Sequence, residues 1–537
     1  MPDARANLDI QPPASGPVQA WLKLRIHFHA LKLEPLRYGL AAWWRLCGKR
    51  VRARAQFAPL LAMSPLAYRL WMANEERQQV VSAAAGPQIM ALIEGRDAAS
   101  PEAIARTLHS LAAEGILVLA DTSPTALAPA LNEHTECWLM AITAGDMLAP
   151  GAGEAYRHAA LPDTCLIYAD DDLLDARGQR YSPHFKPGWN SELFRHLDYL
   201  TGACIVRASA DDLDRLAAGK PVHLEAKVAL AGKGQIAHIP RVLHHRRARP
   251  ARRRPAAFRA DDAALPLVSV IVPTRNGLHL LRTCIDGLDR TDYPAMEVII
   301  VDNGSDDRAT LAYLDALDPT RYRIVRHPGP FNFSTLNNRA AGQARGDLLC
   351  LLNNDIEIVA PDWLKIMAAQ ALRPDVGAVG AQLLYPNGRI QHAGVVLGIC
   401  GGAAHAHRLL RPGDEGYHRR HALPQFVSAV TAACLVVQRT RFEAVKGLNE
   451  TDFAVAFNDV DFCMRLNMQG WQSLYEPRAT LIHHESVSRG FDRDPAGAAR
   501  FAGELAALKA AWATDQVVDP FHHPQLNRFS EHFVVRL

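Results

Sequence analysis

The stretch GDLLCLLNNDIE, from Gly346 to Glu357, is the most informative part of this chain. Its apolar part, Leu348 to Leu352, predicts a buried strand, and a polar cluster follows directly at residues 353–357. Packing does not account for this cluster, because an uncompensated buried charge is costly. At the carboxyl edge of a parallel sheet, however, carboxylate and amide oxygens can hold a hard divalent cation. A polar turn after the strand is the alternative if the segment is taken alone.

Length and composition narrow the class of protein. The 537 residues exceed what one hydrophobic core usually supports, so two or three domains are expected. With 59 Lys and Arg against 56 Asp and Glu, we expect no nucleic-acid partner. Scattered cysteines without a Cys-x-x-Cys pair favour reduced thiols over a disulfide framework or a zinc site. Since neither a membrane span nor a signal peptide is recognisable, we expect a cytoplasmic protein.

The first 80 residues form a basic segment that is rich in aromatic residues. Trp21, Trp43 and Trp44 lie among many Lys and Arg residues. The alternation from Leu22 to Leu33 predicts a strand, whereas the pattern from Leu36 to Val51 predicts a helix. Two interpretations stay open for this segment. It either makes a peripheral contact with the inner face of the cytoplasmic membrane or packs against the next domain.

A run rich in Arg, Pro and Ala at residues 248–265 predicts an exposed linker between two domains, 81–247 and 266–537. Similar sequences occur in the same order on both sides of this linker, which indicates a tandem duplication. Strands that alternate with helical stretches predict an α/β fold, with a Rossmann-like, mostly parallel sheet in each domain. The similar pairs are residues 138–150 and 351–361, 202–207 and 432–437, and 239–245 and 476–484.

Further polar groups accompany the cluster at residues 353–357. Residues 302–306 (DNGSD) follow a predicted strand, where a carboxylate beside Gly and Ser suits a ribose or a base edge. Asp459 and Asp461 lie at the start of a predicted helix, whose dipole favours carboxylates. Simple helix capping by Asp459 is the alternative. His483 and His484 could provide a metal ligand, although such a pair is more often an ordinary surface or core feature.

The second half, from Leu267 to Leu537, resembles the family 2 glycosyltransferases with the GT-A fold. The resemblance extends to tandem-domain bacterial enzymes of O-antigen, rhamnan and other surface-polysaccharide biosynthesis. It rests on motifs that follow one another in the order of the family: VSVIVPTRNG, IIVDNGSDD, LLNNDIE, RIQHAGVVLG, VTAACLVVQRTRFEAVKGLNE, AFNDVDFCMRL and LIHHESVSRG.

The resemblance implies an inverting transfer of a sugar from a nucleoside-diphosphate sugar to a glycan or lipid-linked glycan acceptor. Mg²⁺ or Mn²⁺ is implied as cofactor, because the departing diphosphate gains negative charge. Asp459 matches the catalytic aspartate of the family, and Asp461 supports it. The implied metal ligands are Asp355, Glu357 and His483. The implied substrate-binding residues are Pro273, Thr274, Asn276, Asp302, Ser305, Asn338 and Asn354.

The sequence departs from the pattern of the family at two positions of the second half. Asn458 stands where the family often has Glu, and Asn353 stands where Asp is common. The first change removes one candidate carboxylate beside Asp459. Because of the second, the metal could be held by fewer protein oxygens and more water or phosphate.

Over residues 87–247 the same resemblance is weaker. Only Asp146 stands at the position of the metal ligands, and nothing between Val206 and Ile239 corresponds to AFNDVDF. We therefore expect a degenerate, catalytically silent first domain that positions the acceptor glycan or the second half. Three consecutive aspartates at residues 170–172 suggest a metal site, but a solvated acidic turn is the preferred interpretation.

Two other functions compete with sugar transfer. A nucleotidyltransferase would need a Gly-rich phosphate loop with Lys or Arg after the first strand, and Thr274 to Gly277 is short and has no Lys. A non-catalytic polysaccharide-binding or assembly scaffold is the alternative from a different class. The retained side chains of Asp355, Glu357, Asp459 and His483 speak against it.

Overall fold

The structure is a computed structural model that describes residues 16–75, 86–119, 137–209, 235–251, 265–485 and 495–537, with scattered positions between 210 and 234. The predicted domain boundary at residues 80–81 lies outside the described residues, as does most of the predicted linker at 248–265. Among the described helices, none is long and apolar enough to cross a membrane.

Within residues 16–75, four helices precede the first sheet: α1 (Gly16–Leu33), α2 (Pro35–Leu46), α3 (Arg50–Ala62) and α4 (Ala67–Glu75). The prediction of a helical basic N-terminal segment is confirmed, but the strand predicted from Leu22 to Leu33 is wrong. The same residues also fit a helical period. Leu22, Ile26 and Ala30 lie about one helical turn apart, and they are the buried residues of α1. A helix also closes its backbone hydrogen bonds internally, so it needs no neighbouring strand.

The first sheet has the strand order β2-β1-β3-β7-β5-β8-β4, with β6 beside β5. Its strands are β1 (Gln88–Glu94), β2 (Leu117–Val118), β3 (Cys137–Thr143), β4 (Met147–Leu148), β5 (Leu166–Leu174), β6 (Arg180–His184), β7 (Cys204–Arg207) and β8 (Ile236–Arg246). Helices whose bounds the structure describes in this half are α5 (Pro101–Ala113), α6 (Ala152–Ala159) and α7 (Ser191–His196).

The second sheet has the strand order β11-β10-β9-β12-β19-β14-β20-β13, with β15 beside β14 and β18 beside β20. Its half of the chain contains β9 (Val268–Thr274), β10 (Met296–Asp302), β11 (Tyr322–Arg326), β12 (Leu348–Leu352), β13 (Ile356–Ile358), β14 (Val376–Leu384), β15 (Ile390–His392), β18 (Gln425–Val427), β19 (Cys434–Gln438) and β20 (Gln472–His483). A separate ribbon consists of β16 (Val395–Leu397) and β17 (Ala403–His405). The helices are α8 (Leu278–Asp289), α9 (Arg308–Asp315), α10 (Phe333–Ala341), α11 (Trp363–Ala371), α12 (Arg439–Ala444), α13 (Asn458–Met468) and α14 (Pro495–Trp512).

The two sheets share one topology. The path β2-β1-β3-β7-β5-β8-β4 corresponds strand by strand to β10-β9-β12-β19-β14-β20-β13, with the same parallel and antiparallel neighbours. In each path only two strands run against the other five. Identical order and direction are expected of a duplicated unit. The predicted α/β fold with two tandem GT-A-like, mostly parallel sheets is therefore confirmed.

The strand β12 is buried on both faces, as its uninterrupted apolar sequence predicts. Leu348, Cys350 and Leu352 pack in the core cluster that includes residues of α8 and α11. Leu349 and Leu351 pack in the opposite cluster with residues of α10 and α13. The polar cluster at residues 353–357 begins directly where this strand ends.

The aspartates at residues 170–172 do not form a solvated turn, so that interpretation is wrong. They lie on β5 with fully buried side chains. Burial acts to raise the pKa of Asp171, but the charges of Lys186 and Arg249 outweigh it and hold the pKa below its usual range. The sequence could not show this, because the compensating cations lie in other segments of the chain.

The two halves and the C-terminal tail pack together through polar contacts. Arg373 of the second half lies 2.8 Å from the Glu192 carboxylate of the first. Asn190 donates from its side-chain amide to the carbonyl of Phe426 at 2.8 Å. In the tail, the carbonyl of Pro520 accepts a hydrogen bond from the first half at 2.7 Å. Side chains of the first half are thereby fixed against the second.

Acidification should destabilise this fold below about pH 6.5. Burial lowers the pKa of His184, His244, His392 and His407 well below the ordinary value, and that of His522 to about 3. The unfolded chain therefore takes up protons that the folded chain does not bind as the pH falls from the unfolded value. Each such histidine lowers the free energy of unfolding by about 1.4 kcal/mol per pH unit below about 6.5.

Urea denaturation at about pH 7.5, 6 and 5 measures this dependence. His522→Asn should show a shallower loss of stability with falling pH than the wild type. The exposed His279 provides the control, and His279→Asn should keep the dependence of the wild type. A free energy of unfolding that stays constant down to about pH 5 would contradict the prediction.

Candidate functional site

Strand pairing brings Asp355 and His483 together at the edge of the second sheet. β13 runs antiparallel to β20, with Ile356 opposite His483. Asp355 lies one residue before β13, and its Oδ1 is 3.1 Å from Nε2 of His483. Both side chains are buried. Two of the three predicted metal ligands therefore lie side by side.

Glu357, the third predicted ligand, does not join them. Its Oε2 lies 2.9 Å from Nε2 of His484. Successive side chains of a strand point to opposite faces, so His483 and His484 serve different carboxylates. Glu357 as a metal ligand stays a prediction, and the observed pairing does not support it.

A hydrogen-bond chain fixes the orientation of His483. Gln391 on β15 places its Oε1 2.8 Å from Nδ1 of His483 and its Nε2 2.9 Å from the carboxylate of Glu485. A carboxylate only accepts, so the amide nitrogen faces Glu485 and the amide oxygen faces His483. Nδ1 of His483 is therefore the donor, and in the neutral ring Nε2 is left with a lone pair, which lies 3.4 Å from Nδ2 of Asn353.

The lone pair of His483 Nε2 faces Asp355 Oδ1. Two acceptors at 3.1 Å repel each other unless a cation or a proton lies between them. A metal-binding histidine characteristically donates its other ring N–H to a fixed acceptor, as His483 does to Gln391. On this observation the pair fits a divalent cation. Sequence reasoning missed Gln391 and Glu485 as functional residues, although both lie within or beside the family motifs RIQHAGVVLG and LIHHESVSRG.

A cleft of about 400 Å³ lies beside this pair and contains the predicted catalytic base. Asp459 and His483 both line it. Asp459 is the second residue of α13, and its carboxylate accepts hydrogen bonds from the backbone N–H of Ala432 at 3.1 Å and of Val460 at 2.8 Å. These bonds fix the carboxylate at the wall of the cleft. Other side chains that line the cleft include Phe333, Gln391, His405, Phe457, Glu485 and Phe501.

Asp461, the second predicted catalytic residue, bonds to side chains of α13 and α14. Arg465 contacts its Oδ2 with Nε at 2.9 Å and with a terminal nitrogen at 2.8 Å. Trp512 of α14 donates to its Oδ1 at 3.1 Å. Asp461 therefore ties α13 to α14, which agrees with its predicted supporting role and not with a contact to substrate.

The residues predicted to bind the nucleoside form one network at the carboxyl ends of β9 and β10. Asp302 accepts from Ser305 Oγ at 2.5 Å and from Arg326 at 2.7 Å. The backbone N–H of Asn276 donates to Ser305 Oγ at 2.8 Å, and the side chain of Asn276 bonds to Asp306. Neighbouring parallel strands end side by side, so this edge is where nucleotides bind in α/β sheets.

Asn354 connects this edge to the pair of Asp355 and His483. Its Nδ2 donates to Thr274 Oγ1 at 2.9 Å, and it directly precedes Asp355. Pro273 and Thr274 are buried at the end of β9. Asn338 is not part of the network, because its side chain bonds to Leu448 and Glu450.

The first half repeats the strand pairing with different side chains. Met147 lies opposite His245, as Ile356 lies opposite His483, so Asp146 takes the place of Asp355. Burial raises the pKa of Asp146 to about 6. His245 is turned away from Asp146 and lies 2.7 Å from the carboxylate of Asp172.

Protein cations neutralise the carboxylates around Asp146. Arg246 lies 3.7 Å from Asp146 and 3.9 Å from Asp171. Lys186 and Arg249 contact Asp171 at 2.9 Å and 2.6 Å. This half therefore has its own positive charges where the second half has a pair of facing acceptors.

Asp170, His238 and His523 are close enough to suggest another metal site. Both Nε2 atoms lie within 2.9 Å of the Asp170 carboxylate. However, Nδ1 of His523 accepts the backbone N–H of Gln525 at 3.0 Å. Nε2 of His523 therefore carries the ring proton and has no lone pair for a metal. The three side chains instead hold the C-terminal tail against β5 and β8.

In sequence, the chain is similar to one protein family and to several known proteins. Residues 269–438 match the family described as glycosyl transferase family 2. The uncharacterized protein y4gI of Sinorhizobium fredii is 39% identical over 424 residues, which are 70% of this chain and 46% of that protein. The O-antigen biosynthesis protein RfbC of Myxococcus xanthus is 34% identical over 480 residues, which are 80% of this chain and 37% of that protein. The chain thus spans less than half the length of these two curated relatives.

The N-acetylglucosaminyl-diphospho-decaprenol L-rhamnosyltransferase of Mycobacterium tuberculosis is 28% identical over 252 residues, which are 43% of this chain and 79% of that enzyme. Among solved structures, a mannosyltransferase of Pyrobaculum calidifontis in complex with GDP-Man and Mn²⁺ is 20% identical. The similarity covers 50% of this chain and 71% of that chain, with a TM-score of 0.37.

Replacing Gln391 should weaken the binding of Mn²⁺ without touching a metal ligand. In Gln391→Ala, Nδ1 of His483 loses its acceptor, so the ring is no longer held with its Nε2 lone pair toward Asp355. We expect Mn²⁺ affinity to fall by about 10- to 100-fold. Isothermal titration calorimetry of the full chain measures this affinity.

Gln438→Ala is the matched control. Gln438 also bonds through its side-chain amide, but to the carbonyl of Ala371 away from the cleft. This variant should bind Mn²⁺ like the wild type. Equal affinities for wild type and Gln391→Ala would show that Gln391 does not orient the ligand.

Proposed function

Residues 269–438 belong to glycosyl transferase family 2, and on this premise we propose that the protein is an inverting, metal-dependent glycosyltransferase. It moves a sugar from a nucleoside-diphosphate sugar to a glycan or lipid-linked glycan in bacterial surface-polysaccharide biosynthesis. One observation carries the proposal. Asp459, a candidate base, lines the same cleft as His483, whose lone pair faces Asp355.

The donor diphosphate is expected at the Asp355–His483 pair. A Mg²⁺ or Mn²⁺ ion held by these two residues would neutralise the charge that the leaving diphosphate gains. Gln391 orients His483 for this task, and the bond from Asn354 to Thr274 ties the loop of Asp355 to β9. The buried surroundings strengthen these electrostatic contacts relative to water.

The nucleoside is expected at the adjoining ends of β9 and β10. Asp302 is held there by Ser305 and Arg326, so its carboxylate is pre-oriented for a ribose or a base edge. Asn276 and Thr274 complete the polar edge, and Pro273 shapes it. Because Asn354 and Asp355 are consecutive residues, the expected nucleoside position lies next to the expected diphosphate position.

Asp459 acts as the base in this proposal. An inverting transfer requires the acceptor hydroxyl to attack from the side opposite the leaving diphosphate, and a carboxylate at that hydroxyl accepts its proton. The two backbone N–H groups that bond to the Asp459 carboxylate hold it at the wall of the cleft. Asp461 contributes by holding α13 through Arg465 and Trp512.

The first half, residues 81–247, is a silent glycosyltransferase-like domain in this proposal, and residues 266–537 are the catalytic domain. The proposal is supported by Arg246 and Lys186, which neutralise Asp146 and Asp171 without a metal. The contacts of the first half with the second suit a domain that positions the acceptor. We place the reaction in the cytoplasm, with a peripheral membrane contact through the N-terminal segment.

Separating donor binding from transfer tests the proposal. In Asp459→Asn the donor site is intact but the base is lost, so we expect transfer to fall by about 10²- to 10⁴-fold. Stabilisation of the variant by the donor with Mn²⁺, measured as a thermal shift over a panel of nucleoside-diphosphate sugars, should persist. Asp355→Asn should lose both the stabilisation and the transfer.

Asp452→Asn is the matched control, because Asp452 lies nearby on an exposed turn. It should retain donor binding and transfer. If no nucleoside-diphosphate sugar stabilised the wild type in the presence of Mn²⁺, the proposal would fail in favour of a non-catalytic polysaccharide-binding scaffold.

A further inference from the structure

The helices α1, α2 and α3 concentrate exposed apolar side chains. Twelve large apolar residues between Val18 and Met63 are exposed, and only ten more are exposed in all the rest of the described chain. Such a concentration is unusual for a surface that faces only water. Those with more than half of their surface exposed are Trp21, Leu24, Phe28, Leu33, Leu36, Trp43, Leu46 and Val51.

These side chains follow helical spacing. On α1 the exposed stripe lies opposite the buried side chains of the helix and consists of Trp21, Leu24, Phe28 and Leu31. On α2 the exposed residues recur at intervals of four and three positions, at Leu36, Leu40 and Trp43. The buried residue of α2, Ala41, lies on another side. We call these two sets the apolar stripes. Each faces away from the buried side of its own helix.

The charge around the apolar stripes has one sign. Residues 16–62 contain nine Lys and Arg and a single acidic residue, Glu34. The guanidinium of Arg25 lies 5.7 Å from the centre of the Trp21 ring, and that of Arg52 lies 5.8 Å from the Trp44 ring. Basic side chains beside exposed Trp and Leu are the composition of helices that lie in the interface of an anionic bilayer. The basic residues are Lys23, Arg25, Lys32, Arg37, Arg45, Lys49, Arg50, Arg52 and Arg54.

We infer that α1–α3 bind the anionic surface of a lipid bilayer, with the apolar stripes in the headgroup boundary and the basic residues at the lipid phosphates. A second copy of the chain is a poor occupant of this surface, because two surfaces with this excess of positive charge repel each other. The inference specifies the membrane contact of the proposed function. It does not depend on sugar transfer, since lipid binding needs neither donor nor acceptor.

Vesicle flotation of the full chain tests the inference. We expect the protein to float with vesicles of equal parts phosphatidylcholine and phosphatidylglycerol, and much less with phosphatidylcholine alone. A stripe variant carrying Leu24→Ser, Phe28→Ser, Leu36→Ser and Trp43→Ser should reduce the bound fraction by about tenfold or more. About 0.5 M salt should also weaken binding, because it screens the basic residues.

A matched control carries Leu161→Ser, Met468→Ser and Val518→Ser, which replace exposed apolar residues elsewhere. It should float like the wild type. Circular dichroism and a cooperative thermal unfolding transition like that of the wild type establish that the stripe variant is folded. Neither measurement needs a donor, so this test is separate from the proposed transferase activity.

Three outcomes would overturn the inference. The first is undiminished flotation of a folded stripe variant. The second is equal binding to neutral and anionic vesicles, since the basic residues would then have no role. The third is a wild-type dimer without vesicle binding that the stripe variant converts to a monomer in light scattering. That result would assign the apolar stripes to self-association.

Discussion

The functional site depends on one strand pairing, that of β13 with β20. This register sets Ile356 opposite His483 and so places a carboxylate oxygen and an imidazole lone pair 3.1 Å apart. Gln391 keeps the imidazole from turning its N–H toward Asp355. A cation between the two facing acceptors would remove the energetic cost of their repulsion, so the pair is preorganised for a cation. The cleft with Asp459 and the nucleoside edge at β9 and β10 are arranged around this pair.

In the first half, the same sheet topology carries protein cations beside its buried carboxylates. Its strand order matches that of the second half, but Arg246 stands beside Asp146, and His245 has turned to Asp172. Lys186 and Arg249 hold Asp171 in the charged form, whereas burial raises the pKa of Asp146 to about 6. Both carboxylates lie beside protein cations, so this sheet keeps its packing without a metal. In the proposed function, the same fold provides the catalytic site in one half and a silent supporting domain in the other.

Much of this architecture could be predicted from the sequence, because buried strands such as Leu348–Leu352 and repeated motifs carry local signals. Asp355, His483 and Asp459 were predicted from motifs that resemble those of the family. The structure brings Asp355 and His483 together, and the roles of all three stay predictions. The failures share a physical cause. Leu22–Leu33 satisfies two periodicities, and only packing against neighbouring helices selects one. The buried aspartates at 170–172 and the role of Gln391 depend on partners far away in sequence, which no local pattern contains.

The most direct test of this account is the number of Mn²⁺ ions bound by the full chain in the presence of a nucleoside diphosphate, counted by electron paramagnetic resonance titration. We predict one tightly bound ion per chain, which is lost in Asp355→Asn and retained in Asp146→Asn, its counterpart in the first half. Two such ions, or one that disappears in Asp146→Asn and survives in Asp355→Asn, would contradict it.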